Sequence, residues 1–149
     1  AALDRQHPRD LFDVQYLLEN EGFTADIKQG FLYSLLSSSS PINEVLLPNL
    51  LDHKNTLENQ FEGMSNEPFT YTDFERVRLS LIEEIKNKLS LEDRKFLLKV
   101  KDLDPDWSVY NFEKFPSIKW KLKNLEKLKS DNPNKYRELR ESLKIKLEI

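Results

Sequence analysis

Asp10 and Asp13 stand three residues apart in the run Arg5-Gln6-His7-Pro8-Arg9-Asp10-Leu11-Phe12-Asp13. On a helix that spacing sets both carboxylates along one side. Arg5 and Arg9 precede them. Carboxylates with guanidinium groups beside them can serve a phosphorylated ligand, hold a metal or remove a proton. The same residues also make an ordinary charged helix start. His7 can cap it, Pro8 loses nothing at the first helical position, and Asp10 in the first turn is favoured by the helix dipole. Arg9 and Asp13, four apart, can pair across one turn. One detail resists the ordinary reading. At about 100° per residue, Leu11, Val14, Leu17 and Leu18 form an apolar arc that contains Asp10 and has Asp13 at its margin. Acids beside a buried stripe need partners, because an unpaired buried charge is costly.

The elements that must position these side chains are helices. Glu21-Gly22 stops the first, glycine being usual just past a helix end. Thr24 is expected to cap a second, with Asp26 in its first turn. Ile27, Phe31 and Leu35 recur at four, and Ser37 to Pro41 ends that stripe. A short apolar segment follows from Ile42 to Leu47, closed by Pro48-Asn49. Leu50, Leu57, Phe61 and Met64 predict a third stripe that stops near Gly63. Thr72-Asp73-Phe74-Glu75 reads as a capping box opening a helix with Val77, Leu81 and Ile85 on its inner face. Ser90 caps the next, whose apolar residues are Phe96, Leu97 and Val100. Asp104-Pro105-Asp106-Trp107 is a turn. Trp107, Tyr110, Phe112 and Phe115 could stack bases, but aromatics beside such a turn are more often packing. Pro116 starts a helix with Ile118, Leu122 and Leu125 aligned, and Asp131-Asn132-Pro133 starts the last. The expected architecture is all-α: residues 1–149 as one compact domain of about seven helices.

Composition agrees. Hydrophobic residues make up 38% of the 149 and charged residues 33%, polar for a globular chain but too rich in Leu, Phe and Tyr for a disordered one. Without cysteine there is no disulfide or thiol chemistry, which fits a cytoplasmic protein. His7 and His53, the only histidines, cannot make a histidine-rich metal site. No apolar run approaches the roughly 18 residues that span a bilayer. The chain opens with Ala1-Ala2-Leu3 inside an apolar pattern, so it is expected to be cut from something longer. From Lys114 to Ile149 there are 11 Lys/Arg against 5 Asp/Glu, while residues 1–113 carry 12 against 21. Lys119, Lys121, Lys123, Lys127 and Lys129 are therefore expected to form a basic helix rim, either a solvated face or a track for a nucleic-acid backbone.

From Asp4 through Asp13 the chain resembles the AbiEii/AbiGii family of nucleotidyltransferase-like toxins. The likeness continues through Phe31-Leu32-Tyr33, Pro41-Ile42-Asn43-Glu44-Val45-Leu46, Phe61-Glu62-Gly63-Met64, Pro68-Phe69-Thr70-Tyr71, Pro105-Asp106-Trp107 and Trp120-Lys121-Leu122. The family carries four motifs. Two of them, a Gly-Gly-Ser/Thr element and an Asp-x-Asp metal site, are absent here. Of the Lys-x-x-Ala…Arg motif only Ala1 and Arg5 stand in this chain. The Asp-x-x-Asp-apolar-x-x-Leu motif matches in full at Asp10, Asp13, Val14 and Leu17.

The resemblance implies the helical carboxy-terminal part of a toxin from a toxin–antitoxin, abortive-infection system, contributing one wall of an active site. Asp10 and Asp13 are then the catalytic candidates, and Arg5 and Arg9 the nucleotide-binding ones. Lys119, Lys121 and Lys123 become a weaker RNA-binding set. The family implies Mg²⁺ and a nucleoside triphosphate for the intact toxin, tRNA or another RNA as acceptor, and a cognate antitoxin as partner. Asp104-Pro105-Asp106 spells Asp-x-Asp, but a turn between helices is the wrong setting. The chain alone is thus expected to hold no metal and transfer no nucleotide. The alternative is a non-catalytic helical module that docks a protein or RNA.

Overall fold

The computed structural model describes residues 2–61, 66 and 68–149, with the side chains of residues 60 and 61 left aside. Among them are eight α-helices and no strand: α1 (Pro8–Asn20), α2 (Ala25–Ser37), α3 (Ile42–Leu46), α4 (Lys54–Thr56), α5 (Tyr71–Lys88), α6 (Leu91–Lys101), α7 (Pro116–Asp131) and α8 (Pro133–Leu147), with a π-helical turn over Leu57–Phe61 after α4. The all-α expectation holds. Ala1, Gly63 and Met64, on which part of the sequence reading rested, lie outside the described residues.

The chain divides into two compact units, Ala1–Thr24 with Leu47–Lys88, and Ala25–Leu46 with Leu89–Ile149. Each is built from separated stretches of chain, so no linker marks their limits. In the first unit α1 packs on α5. Leu11 and Phe74 are fully buried there, with Leu3, Val77, Leu81 and Ile85 also buried. In the second, α8 packs on α3, α6 and α7, and α2 packs on α7. Leu32, Leu36, Leu97, Ile118, Leu143 and Leu147 form its closed interior. Burying one such side chain contributes about 1.5–3 kcal/mol.

Helix ends follow local chemistry. Gly22 takes φ +72°, and its N–H reaches the Leu17 carbonyl at 3.0 Å, the left-handed ending that glycine adopts without strain. Ser90 and Asp93 form a capping box at the start of α6. The Asn132 side chain accepts from the Lys135 N–H at the start of α8. The segment at Ile42 folds as the short α3.

The capping box of α5 lies two residues before the expected Thr72. Thr70 Oγ1 accepts from the Asp73 N–H at 3.2 Å, and Asp73 Oδ2 accepts from the Thr70 N–H at 2.9 Å. Both Thr-x-x-acid frames are spelled in the sequence, and the residues around them decide. A cap at Thr70 puts Phe69 just before the helix and Phe74 at its fourth position, where two apolar residues can staple the entry; both are buried. The Thr72 frame would put Tyr71 and Arg76 there.

The stripe expected from Leu50 starts later than its first residue: Lys54 to Phe61 are helical and Leu57 is buried, but Leu50 takes no part. Residues 51–53 are not helical, and Leu50 and Leu51 are exposed. The backbone of Leu51 is bonded elsewhere: its N–H donates to Gln6 Oε1 at 3.1 Å and its carbonyl accepts from Arg78 Nη1 at 2.6 Å.

The aromatic residues after α6 pack against one another. Phe96 meets Trp107, Tyr110 and Phe112 edge-on at 6.2, 5.2 and 6.2 Å between ring centres, and Tyr33 meets Phe115 at 4.9 Å. Asp104-Pro105-Asp106 lies between helices, with Asp106 accepting from the Ser108 N–H and hydroxyl.

Candidate functional site at the start of α1

His7 is the N-cap of α1. Its backbone is extended, and its Nδ1 accepts from the Arg9 N–H at 3.2 Å, with Pro8 at the first helical position. This cap fixes where Arg9, Asp10 and Asp13 leave the helix, while Leu11 anchors the turn in the core.

Asp10 sits in the first turn, with its side chain 20% exposed, and takes one guanidinium nitrogen of Arg5 between its two oxygens at 2.9 and 3.1 Å. Arg5 is 66% exposed, and its other N–H groups remain for a ligand. An ion pair this open contributes at most about 1 kcal/mol to stability. Its consequence is geometric: Asp10 aims Arg5. Arg9 and Asp13 are exposed, and neither has an ion-pair partner among the described residues, so the i,i+4 pair that the spacing allowed is not made. Asp13 is more open than its place at the margin of the apolar arc suggested, because Val14, Leu17 and Leu18 are themselves only half-buried.

Behind this start lies a polar clamp that the sequence reading missed. Gln6 is buried and takes φ +52°, a left-handed conformation costing an L-residue roughly 1–2 kcal/mol. Its side chain makes three hydrogen bonds. Nε2 donates to the Asn49 carbonyl at 2.7 Å, and Oε1 accepts from the Leu51 N–H and, at 3.0 Å, from Arg78 Nη1. Arg78 is buried with its guanidinium 4.8 Å from the centre of the Phe74 ring. The clamp ties Gln6, between Arg5 and His7, to α5. A signal for it existed: Arg78 follows Phe74 by four and Val77 by one, on the apolar face of α5, and a buried arginine demands an internal acceptor.

The three lysines of the basic set part company. Lys119 and Lys123 are exposed. Lys121, expected on the same rim, is only 6% exposed, and its Nζ donates to the carbonyls of Ser38 and Ser40 at 2.7 and 2.6 Å. Burial, with Lys101 nearby, brings its ammonium down to about 8. The reason is angular. Ile118, Lys121 and Leu125 fall on one side of α7 at helical spacing, so Lys121 points inward with the core residues.

No group of three or more His, Cys, Asp or Glu side chains among the described residues could hold a metal ion, and both oxygens of Asp10 are occupied by Arg5. These residues do not make a site for Mg²⁺. No helix among them is long and apolar enough to cross a membrane.

The family model for the nucleotidyl transferase AbiEii toxin, of type IV toxin–antitoxin systems, matches residues 1–124. The chain belongs to the AbiEii toxin family. No curated protein and no solved structure matches it. The AbiEii match takes in the whole start of α1, the Gln6–Arg78 clamp and α7 through Asn124, and leaves out α8.

Proposed function

We propose that this chain is the helical part of a nucleotidyl-transferring AbiEii toxin and that the start of α1 forms one wall of its active site. The observation that carries the reading is the family match across residues 1–124. The local geometry supports it: a helix start fixed by His7 and Pro8 presents an aimed guanidinium, an open carboxylate and a second arginine.

In this reading Arg5, held by Asp10, contacts the nucleotide phosphates, and Arg9 adds a second positive charge. Nucleotidyl transfer forms a bond from the acceptor oxygen to the α-phosphorus as pyrophosphate leaves. Asp13, with no ion-pair partner among the described residues, takes the hydroxyl proton. Asp10 is a positioning residue, since its oxygens already serve Arg5. The arginines act by countering charge on the phosphates, where such reactions draw most of their help. The residues described here do not fit Mg²⁺, so its carboxylates are assigned to another part of the intact toxin. The acceptor is an RNA, and a cognate antitoxin is the partner that the family description implies.

The test is transfer of a labelled nucleotide from a nucleoside triphosphate to RNA. The intact toxin labels RNA, whereas the isolated chain and intact toxins carrying Asp13→Ala or Arg5→Ala do not. Labelling by the isolated chain, or full labelling by both variants, contradicts the assignment. The non-catalytic reading, a helical RNA-binding module, draws on the exposed lysines of α7. It is favoured if RNA binding is salt-sensitive and intact while no transfer occurs under any condition.

A further inference from the structure

Trp120 is 62% exposed, an unusual place for the largest aromatic side chain. At about 100° per residue, Lys119, Trp120, Lys123 and Lys127 fall within one sector of α7 roughly 100° wide. The sector lies opposite Ile118, Lys121 and Leu125, which are buried. All four residues of the sector are exposed, and Lys123 Nζ stands 5.9 Å from the centre of the Trp120 ring. Glu126 and Asp131 project outside it. Successive lysines at 119, 123 and 127 are about 6 Å apart along the axis, so they form a positive line with a ring at its side.

We infer that this face of α7 binds single-stranded nucleic acid, with Trp120 stacking on an unpaired base while Lys119, Lys123 and Lys127 contact the phosphates on either side. The inference deepens the proposed RNA acceptor and rests on that reading. The charge argues for a polyanion and the ring for one with accessible bases. A duplex hides its base faces, leaving Trp120 nothing to stack on, whereas every unstacked base offers a π-face. Phosphate contacts alone need only positive charge. The aromatic residues near Trp107 do not compete for this role, because they pack on Phe96.

The experiment measures binding of an unstructured RNA oligonucleotide, and of an RNA duplex of equal length, to the full chain and to variants W120A, W120F and K119Q/K123Q/K127Q. These positions are on the surface, so circular dichroism should match the unsubstituted chain. W120A is expected to weaken single-strand binding about tenfold and leave duplex binding nearly unchanged. W120F should recover much of the loss. The triple lysine variant should weaken both and lower the salt slope. Equal single-strand affinity of W120A and the unsubstituted chain overturns the stacking site, while lysine-dependent RNA binding would still stand. Absence of RNA binding by the unsubstituted chain overturns the RNA reading and this inference together, leaving the face to a protein partner. Transfer activity is read separately, so loss of labelling by Asp13→Ala with RNA binding intact separates the two sites.

Discussion

Two acidic residues, Asp10 at the start of α1 and Asp93 at the start of α6, occupy the same third helical position and are treated in opposite ways. Asp93 has a side chain only 2% exposed and holds Lys28 Nζ at 2.8 Å. Ser90 N–H donates to the same oxygen at 2.8 Å, and the Tyr110 hydroxyl donates to the other at 2.6 Å. Burial disfavours its charge, but the donors from Lys28, Tyr110 and Ser90 outweigh that and hold the carboxyl below its usual range. Burial and the bond to Asp93 push the Tyr110 hydroxyl well up. Among the described residues Asp10 has one ion-pair partner, itself mostly in water, and Asp13 has none. A buried carboxylate that holds three donors from the fold is a fastening. One that faces solvent beside an under-used guanidinium is available to a ligand.

The comparison can be broken first at Asp93. Asp93→Ala leaves the Lys28 ammonium and the Tyr110 hydroxyl without their acceptor, and the expected loss is about 3–5 kcal/mol, read from urea unfolding. Because the folded carboxyl titrates below its unfolded value, its contribution is complete above about pH 4 and is lost as the pH falls through the lowered value. The variant should therefore show a weaker acid-side loss of stability than the unsubstituted chain. A change below 1 kcal/mol would mean that Asp93 is no fastening.

The clamp at Gln6 lies between the two extremes. Gln6→Ala strands the Leu51 N–H and one guanidinium donor of Arg78, for an expected cost of about 2–3 kcal/mol. Gln6→Gly should cost about 1 kcal/mol less, since glycine takes φ +52° without strain. Equal losses would show that the backbone strain is absent in solution. The smallest effects belong to the proposed site. Asp10→Ala and Asp13→Ala should each shift stability by no more than about 1 kcal/mol, and a larger loss at either would move it into the class of Asp93.

Much of this was legible in the sequence. The all-α architecture, the His7-Pro8 start, the stop at Gly22 and the cap at Ser90 follow from residue types at fixed offsets. The start at Asn132-Pro133 follows in the same way. Local rules decide them, so one stretch of chain suffices. One departure from expectation was decided by distant residues, and two by local detail. Leu50 leaves its stripe because Gln6 and Arg78, far along the chain, take the backbone of Leu51. Lys121 reads as one more lysine of a basic run, and only its phase relative to Ile118 and Leu125 places it inside. The α5 cap was decidable locally, because of two equally spelled boxes only the Thr70 frame puts apolar residues, Phe69 and Phe74, at both staple positions. At the candidate site, the residues and their order were visible from spacing and resemblance. That Arg5 rather than Arg9 carries the ion pair was not, because the turn before His7 sets it.

In the proposed site Asp13 acts on the ligand directly and Asp10 acts through Arg5, neither being needed by the fold, and growth arrest by the intact toxin is the sharpest test. Cells expressing the toxin with Asp10→Ala or Asp13→Ala should grow normally while the protein accumulates to its usual level with an unchanged urea midpoint. Full growth arrest by both variants would remove Asp10 and Asp13 from the site.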